Sequence, residues 1–184
     1  MALLESDMET LKLGEEAKDF TLPGTDDKKH ALQDIAKAKT NVIMFMCNHC
    51  PYVKGIKNRI NRLRDKYSKE GLVIIGINSN DAENYPEDSF ESMKKFQKEF
   101  HIDFYLYDET QDVARAYGAT CTPDIFLFDE KLKLKYHGRI DNGYMDEANA
   151  TEHDLDIAIS KTIKKEDIKF EQRPSMGCSI KWKE

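Results

Sequence analysis

Apolar residues in this chain come in short blocks, and their period switches between that of a buried strand and that of a helix. Val42-Ile43-Met44-Phe45-Met46 is an uninterrupted apolar run, the pattern of a central strand covered on both faces. From Pro51 the spacing changes. Val53, Ile56, Ile60, Leu63 and Tyr67 recur at intervals of three and four, one stripe of a helix. Lys54, Lys57, Arg59, Arg62, Arg64 and Lys66 read as its solvated face. Pro51 falls in the first turn, where a missing N–H costs little.

The alternation continues. Leu72-Val73-Ile74-Ile75-Gly76-Ile77-Asn78 is a second apolar strand. Asp88 with Glu91 three residues on reads as a capping box opening a helix that carries Phe90, Met93, Phe96 and Phe100. Phe104-Tyr105-Leu106-Tyr107 is a strand, and a short helix with Val113, Ala116 and Tyr117 stops at Gly118. Asp124–Phe128 and Leu132–Tyr136 flank Asp129-Glu130-Lys131 as a hairpin. Thr151 with Asp154 opens a last helix through Leu155, Ala158, Ile159 and Thr162; the tail to Glu184 has no clear period. Near the start, Asp19–Gly24 reads as a short strand and turn. Alternating strands and helices followed by a hairpin predict an α/β fold, a central mixed sheet with helices on both faces. Chemistry in such sheets sits at the carboxyl ends of the parallel strands.

Composition narrows the function classes. The 184 residues fit one domain with a sizeable core, about 11–165, and a tail over 166–184. The net charge of −6 offers no basic footprint for nucleic acid or an anionic membrane surface. No apolar run approaches a membrane span, and the start lacks a basic, then apolar, leader pattern. The expectation is a cytoplasmic protein. Four cysteines are too few for a disulfide scaffold in a chain of this length.

The chemistry concentrates at Cys47-Asn48-His49-Cys50, directly after the first apolar run. Two thiols separated by two residues, where a strand hands over to a helix, can close into a disulfide. Unpaired N–H groups and the positive end of the dipole at a helix start favour a thiolate. The same spacing also suits zinc, yet no second Cys-x-x-Cys or His pair follows at finger spacing.

Four segments carry a family resemblance: Gly14–Pro23, Met46–Lys54 around the CxxC, Thr122-Pro123, and the tail Pro174–Lys183. The chain resembles the thioredoxin-like superfamily, and within it the redoxin or peroxiredoxin-like branch related to AhpC/TSA. The resemblance implies a thioredoxin-like fold over roughly residues 11–140 plus the tail. It implies Cys47 as the nucleophile, the more exposed thiol at the helix N-cap, and Cys50 as the resolving thiol one turn deeper. It implies a cis bond before Pro123, facing the CxxC, with the backbone of Thr122 free to pair with a substrate peptide. Asn48 and Thr122 are then substrate contacts. His49 is placed to stabilise the Cys47 thiolate and raise the reduction potential. The implied activity is thiol–disulfide exchange with protein disulfides or small thiols, with an upstream reductase unidentified. No cofactor and no resident metal are expected, and neither nucleic acid nor membrane is an expected partner.

Other readings stay open. True peroxiredoxins carry a Thr three residues before the peroxidatic Cys; here that position is Met44, which argues against efficient peroxide reduction but leaves a thiol-dependent peroxidase as an alternative. Cys47 and Cys50, with His49, could instead hold Cu(I) or Zn(II) as a binding module. Cys121 and Cys178 are either a second dithiol relaying to the first, with Cα atoms roughly 4.4–6.8 Å apart, or buried free thiols. Tyr136–Asp141 reads as the end of an edge strand with His137 and Arg139 as surface charge. Asn78-Ser79-Asn80-Asp81 lines the site mouth, and Trp182 docks the tail into a groove.

Overall fold

The computed structural model describes residues 3–184. Its centre is strand β4 (Thr40–Phe45), followed by helix α2 (Pro51–Tyr67) and strand β5 (Leu72–Asn78). Before them lie β1 (Leu3–Glu5), the hairpin β2 (Thr21–Pro23) and β3 (Lys29–Ala31), and the short helix α1 (Leu32–Ile35). After them come α3 (Phe90–Phe96), β6 (Phe104–Tyr107), α4 (Asp112–Tyr117), β7 (Cys121–Thr122), β8 (Asp124–Asp129), β9 (Leu134–His137), α5 (Asp154–Ile163) and β10 (Met176–Ser179). The main sheet runs β6-β5-β4-β8-β9. β4, β5 and β6 are parallel, while β8 runs antiparallel to both β4 and β9. This is the thioredoxin-like arrangement that the sequence predicts, a central mixed sheet between helices.

The uninterrupted apolar run of β4 follows from its position. Side chains alternate faces along a strand. Val42, Met44 and Met46 join one core with Val53, Ile56, Ile60 and Leu63 of α2, Met93 of α3, and Leu155 and Ile159 of α5. Ile43 and Phe45 join the other, with Leu32 and Ile35 of α1 and Ala114 and Tyr117 of α4. Burying each such side chain contributes roughly 1.5–3 kcal/mol, so both faces must be apolar.

Several local expectations are corrected. Ser89, not Asp88, caps α3, its side chain accepting from the Ser92 N–H. His153 is the N-cap of α5, and Thr151 instead accepts from Asn142. Arg59 is buried, not solvated: Nη1 reaches Asp141 at 2.5 Å and Nη2 donates to the Gly55 and Tyr144 carbonyls. His137 and Arg139 are buried as well, held by Asp124 at 2.7 Å and Asp154 at 2.5 Å. A carboxylate placed opposite each of these side chains offsets the cost of burying it, and only the fold brings those partners into place.

The aperiodic tail also has a structure. β10 lies between β1 and β7 in a separate three-stranded antiparallel sheet. Beyond β10, the Lys181 N–H donates to Asn80 Oδ1 at 2.9 Å, and the Lys183 N–H to Gln111 Oε1 at 2.9 Å. Trp182 remains partly exposed, with the Arg115 guanidinium 4.9 Å from its ring.

Candidate redox site

β4 delivers the CxxC segment to its carboxyl end. Met46 is still tied to the sheet, its N–H donating to Ile77 O at 2.8 Å. The helix begins only at Pro51, with Cys50 as the N-cap at φ −63° and ψ 121°. The reason is local: proline bars the preceding residue from the helical region, so Cys50 is extended and α2 cannot start earlier. Cys47 is therefore not the cap residue. It is also not the exposed thiol, at 1% exposure beside 0% for Cys50.

Thr122 brackets both sulfurs. Cys47 Sγ lies 3.4 Å from Thr122 Oγ1, and the Cys50 thiol donates to the Thr122 carbonyl at 3.1 Å. The Thr122–Pro123 bond is cis, the form that the resemblance implies. Interaction between the two neighbouring thiols shifts their ionisation in opposite directions. That interaction, with burial and the nearby Asp88 charge, pushes Cys47 well up. The same interaction pulls Cys50 down, against the opposing effect of burial. One proton of the pair is thus easily lost and the other firmly held.

Asp88 is the residue that sequence reasoning missed. Its side chain is fully buried, and it accepts from the Asn48 N–H at 2.7 Å, Asn80 Nδ2 at 2.7 Å and His49 Nδ1 at 2.6 Å. His49 is turned to this carboxylate, and its ring stacks on Tyr85 at 5.8 Å. Asn48 spends its side chain internally, donating to Glu87 O at 2.8 Å and accepting from the Tyr105 hydroxyl at 2.8 Å. It holds the turn in shape and does not face outward as a substrate contact. The signal for Asp88 was present in Asn78–Asp81, a polar run after a buried strand, whose Asn80 finds its partner there.

The tail completes the site. In the β7–β10 register Cys178 stands opposite Thr122, and Ser179 opposite Cys121. The Thr122 backbone, expected free, is therefore matched by the chain's own strand. Facing residues share a side of a ladder and neighbours take opposite sides. Cys178 accordingly shares a buried apolar cluster with Cys47 and Cys50, and stands opposite the residue whose carbonyl accepts from Cys50. Cys121 points the other way, its Sγ 3.9 Å from Ser6 Oγ and 3.7 Å from Pro123 O. Of the two readings of Cys121 and Cys178, buried free thiols is the one that the structure matches. Burial and the Asp124 charge hold the Cys121 thiol protonated.

Among the described residues, one group could hold a metal ion: Cys47, His49 and Asp88, with ligand atoms within 4.8 Å of one another. Cys50 is not part of it. Its sulfur donates instead to the Thr122 carbonyl.

Known proteins agree with this architecture. The solved structure of an uncharacterized conserved protein from Geobacillus kaustophilus is 42% identical, with a TM-score of 0.92, covering 100% of this chain and 97% of that one. The thioredoxin domain of a thiol-disulfide oxidoreductase from Bacteroides vulgatus superposes with a TM-score of 0.57 at 20% identity, over 67% of this chain and 86% of that one. The thiol-disulfide oxidoreductase ResA of Bacillus thuringiensis (strain Al Hakam) is 25% identical over 130 residues, 70% of each chain. The model of the AhpC/TSA family matches residues 13–137, which span the sheet, the CxxC and the Thr122-Pro123 turn. The chain belongs to the AhpC/TSA family.

Proposed function

We propose that this protein is a thiol–disulfide oxidoreductase that exchanges disulfides with protein or small-thiol partners through Cys47 and Cys50. The observation that carries this reading is the placement of both CxxC sulfurs on Thr122, Cys47 beside its hydroxyl and Cys50 on its carbonyl. The Thr122 carbonyl accepts the Cys50 S–H, and loss of the Cys47 proton to solvent leaves a thiolate to which Thr122 Oγ1 can donate. Cys47 then attacks one sulfur of the partner disulfide, and the other partner sulfur leaves as a thiolate and takes up a proton. Cys50, whose proton is easily lost, attacks Cys47 Sγ and releases the second partner thiol. Two electrons pass to the partner, and Cys47–Cys50 is left as a disulfide. A dithiol partner runs the same steps in reverse.

His49 acts through Asp88 in this scheme. The Asp88 charge opposes ionisation of Cys47, and a proton shared between His49 and Asp88 weakens that opposition. A reducing cytoplasmic setting belongs to the proposal. The test is trapping. A Cys50→Ser variant incubated with a disulfide peptide should accumulate a mixed disulfide at Cys47. Trapping through another cysteine, or none at all, rejects the assignment. Metal analysis of the same preparation tests the Cys47–His49–Asp88 binding alternative.

A further inference from the structure

The exchange reading uses two of the three thiols that meet at this site. Cys178 is the third, and its position is imposed by backbone geometry. The Ile180 N–H donates to Thr120 O at 3.0 Å. Hydrogen-bonded pairs recur every second residue in an antiparallel ladder, so Cys178 and Thr122 form the next such pair. The Thr122 carbonyl thereby lies between the Cys178 backbone and the Cys50 thiol, which it accepts at 3.1 Å. The neighbouring residue is Gly177, where a Cβ would stand 1.9 Å from Thr122 O. The tail is thus seated closely against Thr122, with its cysteine in the same buried cluster as Cys47 and Cys50.

We propose that Cys178 is a third redox-active thiol, which exchanges with the Cys47–Cys50 disulfide to form a Cys50–Cys178 disulfide. The inference rests on the thiol–disulfide reading above, which supplies the first disulfide. Cys178 gives up its proton and its sulfur attacks Cys50 Sγ. The Cys50–Cys178 bond forms, the Cys47–Cys50 bond breaks, and Cys47 leaves as a thiolate that takes up a proton. No electrons are gained or lost overall. The oxidising equivalent moves under the tail, β10 becomes covalently joined to the start of α2, and Cys47 is returned to its reduced form. Burial holds the Cys178 proton firmly, so this exchange quickens as pH rises.

The experiment uses the full chain equilibrated in glutathione buffers, quenched with acid, alkylated and digested with trypsin. Cys47 and Cys50 fall in the peptide 40–54, and Cys178 in 170–181. A Cys50–Cys178 bond therefore joins two peptides, whereas Cys47–Cys50 lies within one. In the Cys47→Ser variant we expect the joined peptide to appear and two of its three thiols to become protected. The joined peptide should be absent from Cys47→Ser/Cys178→Ser. Wild-type protein should show both species, with exchange after a pH jump about tenfold faster per pH unit below the thiol pKa. If wild type closes Cys47–Cys50 while Cys178 stays alkylatable in both wild type and Cys47→Ser, this proposal is overturned and the exchange reading stands. If wild type closes no Cys47–Cys50 bond, the exchange reading itself fails. The wild-type measurement needs no substitution, so a misfolded variant does not decide the matter.

Discussion

Gly177 lies against the main-chain carbonyl of Thr122, so near that a Cβ at position 177 would come within 1.9 Å of the oxygen. This contact seats β10 against Thr122, whose hydroxyl and carbonyl meet the two cysteines of the CxxC. Gly177→Val should unseat the strand. We expect iodoacetamide to modify Cys50 about tenfold faster or more, equivalent to ~1.4 kcal/mol in the opening equilibrium. The emission of Trp182, the only tryptophan, should shift as its stack with Arg115 is lost. An unchanged alkylation rate in a variant with shifted emission would show that something other than β10 shields the thiols.

Asp88 adds its charge to the Cys50 interaction and the burial that hold the Cys47 proton. Asp88→Asn removes the charge that opposes ionisation of Cys47 while keeping an acceptor for the Asn48 N–H. Easier ionisation stabilises the reduced form, so the potential should rise by tens of millivolts, with about 30 mV corresponding to ~1.4 kcal/mol for two electrons. Asp88→Ala should also destabilise the fold, by roughly 1–3 kcal/mol for each donor left unpaired. Redox titration and urea unfolding measure the two effects separately. A potential that stays put or falls in Asp88→Asn contradicts this role.

The thiol pair has a distinct pH signature. Cys50 is lowered from its ordinary value and Cys47 is raised. Thiolate absorbance near 240 nm should therefore show one equivalent at pH 7, lost as the solution is acidified below neutrality. The second equivalent should appear only above the ordinary thiol range of about 8.5. Cys50→Ser removes the low-pH step. Two equivalents rising together near the ordinary value would mean that the thiols are uncoupled.

The buried Arg59–Asp141 pair fixes α2 to the loop after β9. Asp141→Ala leaves a buried guanidinium without its counter-ion and should cost about 3–5 kcal/mol. Replacing both residues with apolar ones of similar size should recover most of that loss. Thermal unfolding of the single and double variants distinguishes a paired charge from a solvated one, because a solvated Asp141 would lose less than ~1 kcal/mol.

The sequence was most informative where the signal is local and periodic. β4 and β5 carry continuous apolar runs because both of their faces are covered, and α2 carries its stripe at three and four. The CxxC at the end of β4 could be placed from that pattern alone. The start of α2 was misplaced because the restriction that Pro51 puts on Cys50 outweighs the apparent continuity of the motif. Arg59, His137 and Arg139 read as surface charge because their carboxylate partners lie 82, 13 and 15 residues away. Asp88 looked like a cap since an acidic residue before a helix usually is one. The partner of Cys178 depended on a strand register, where a one-residue shift exchanges Cys121 for Thr122 and turns the side chain to the other face.

The central claim is that Cys47 and Cys50 form a working redox couple. Its most direct test is equilibration of the full-length protein in glutathione buffers of graded potential, with the Cys47–Cys50 state read by alkylation and mass spectrometry. The account predicts a two-electron transition with a midpoint around −180 to −240 mV, between protein disulfide isomerase and thioredoxin. Cysteines that stay reduced across the whole range, or that acquire only separate glutathione adducts without closing a Cys47–Cys50 bond, would contradict it.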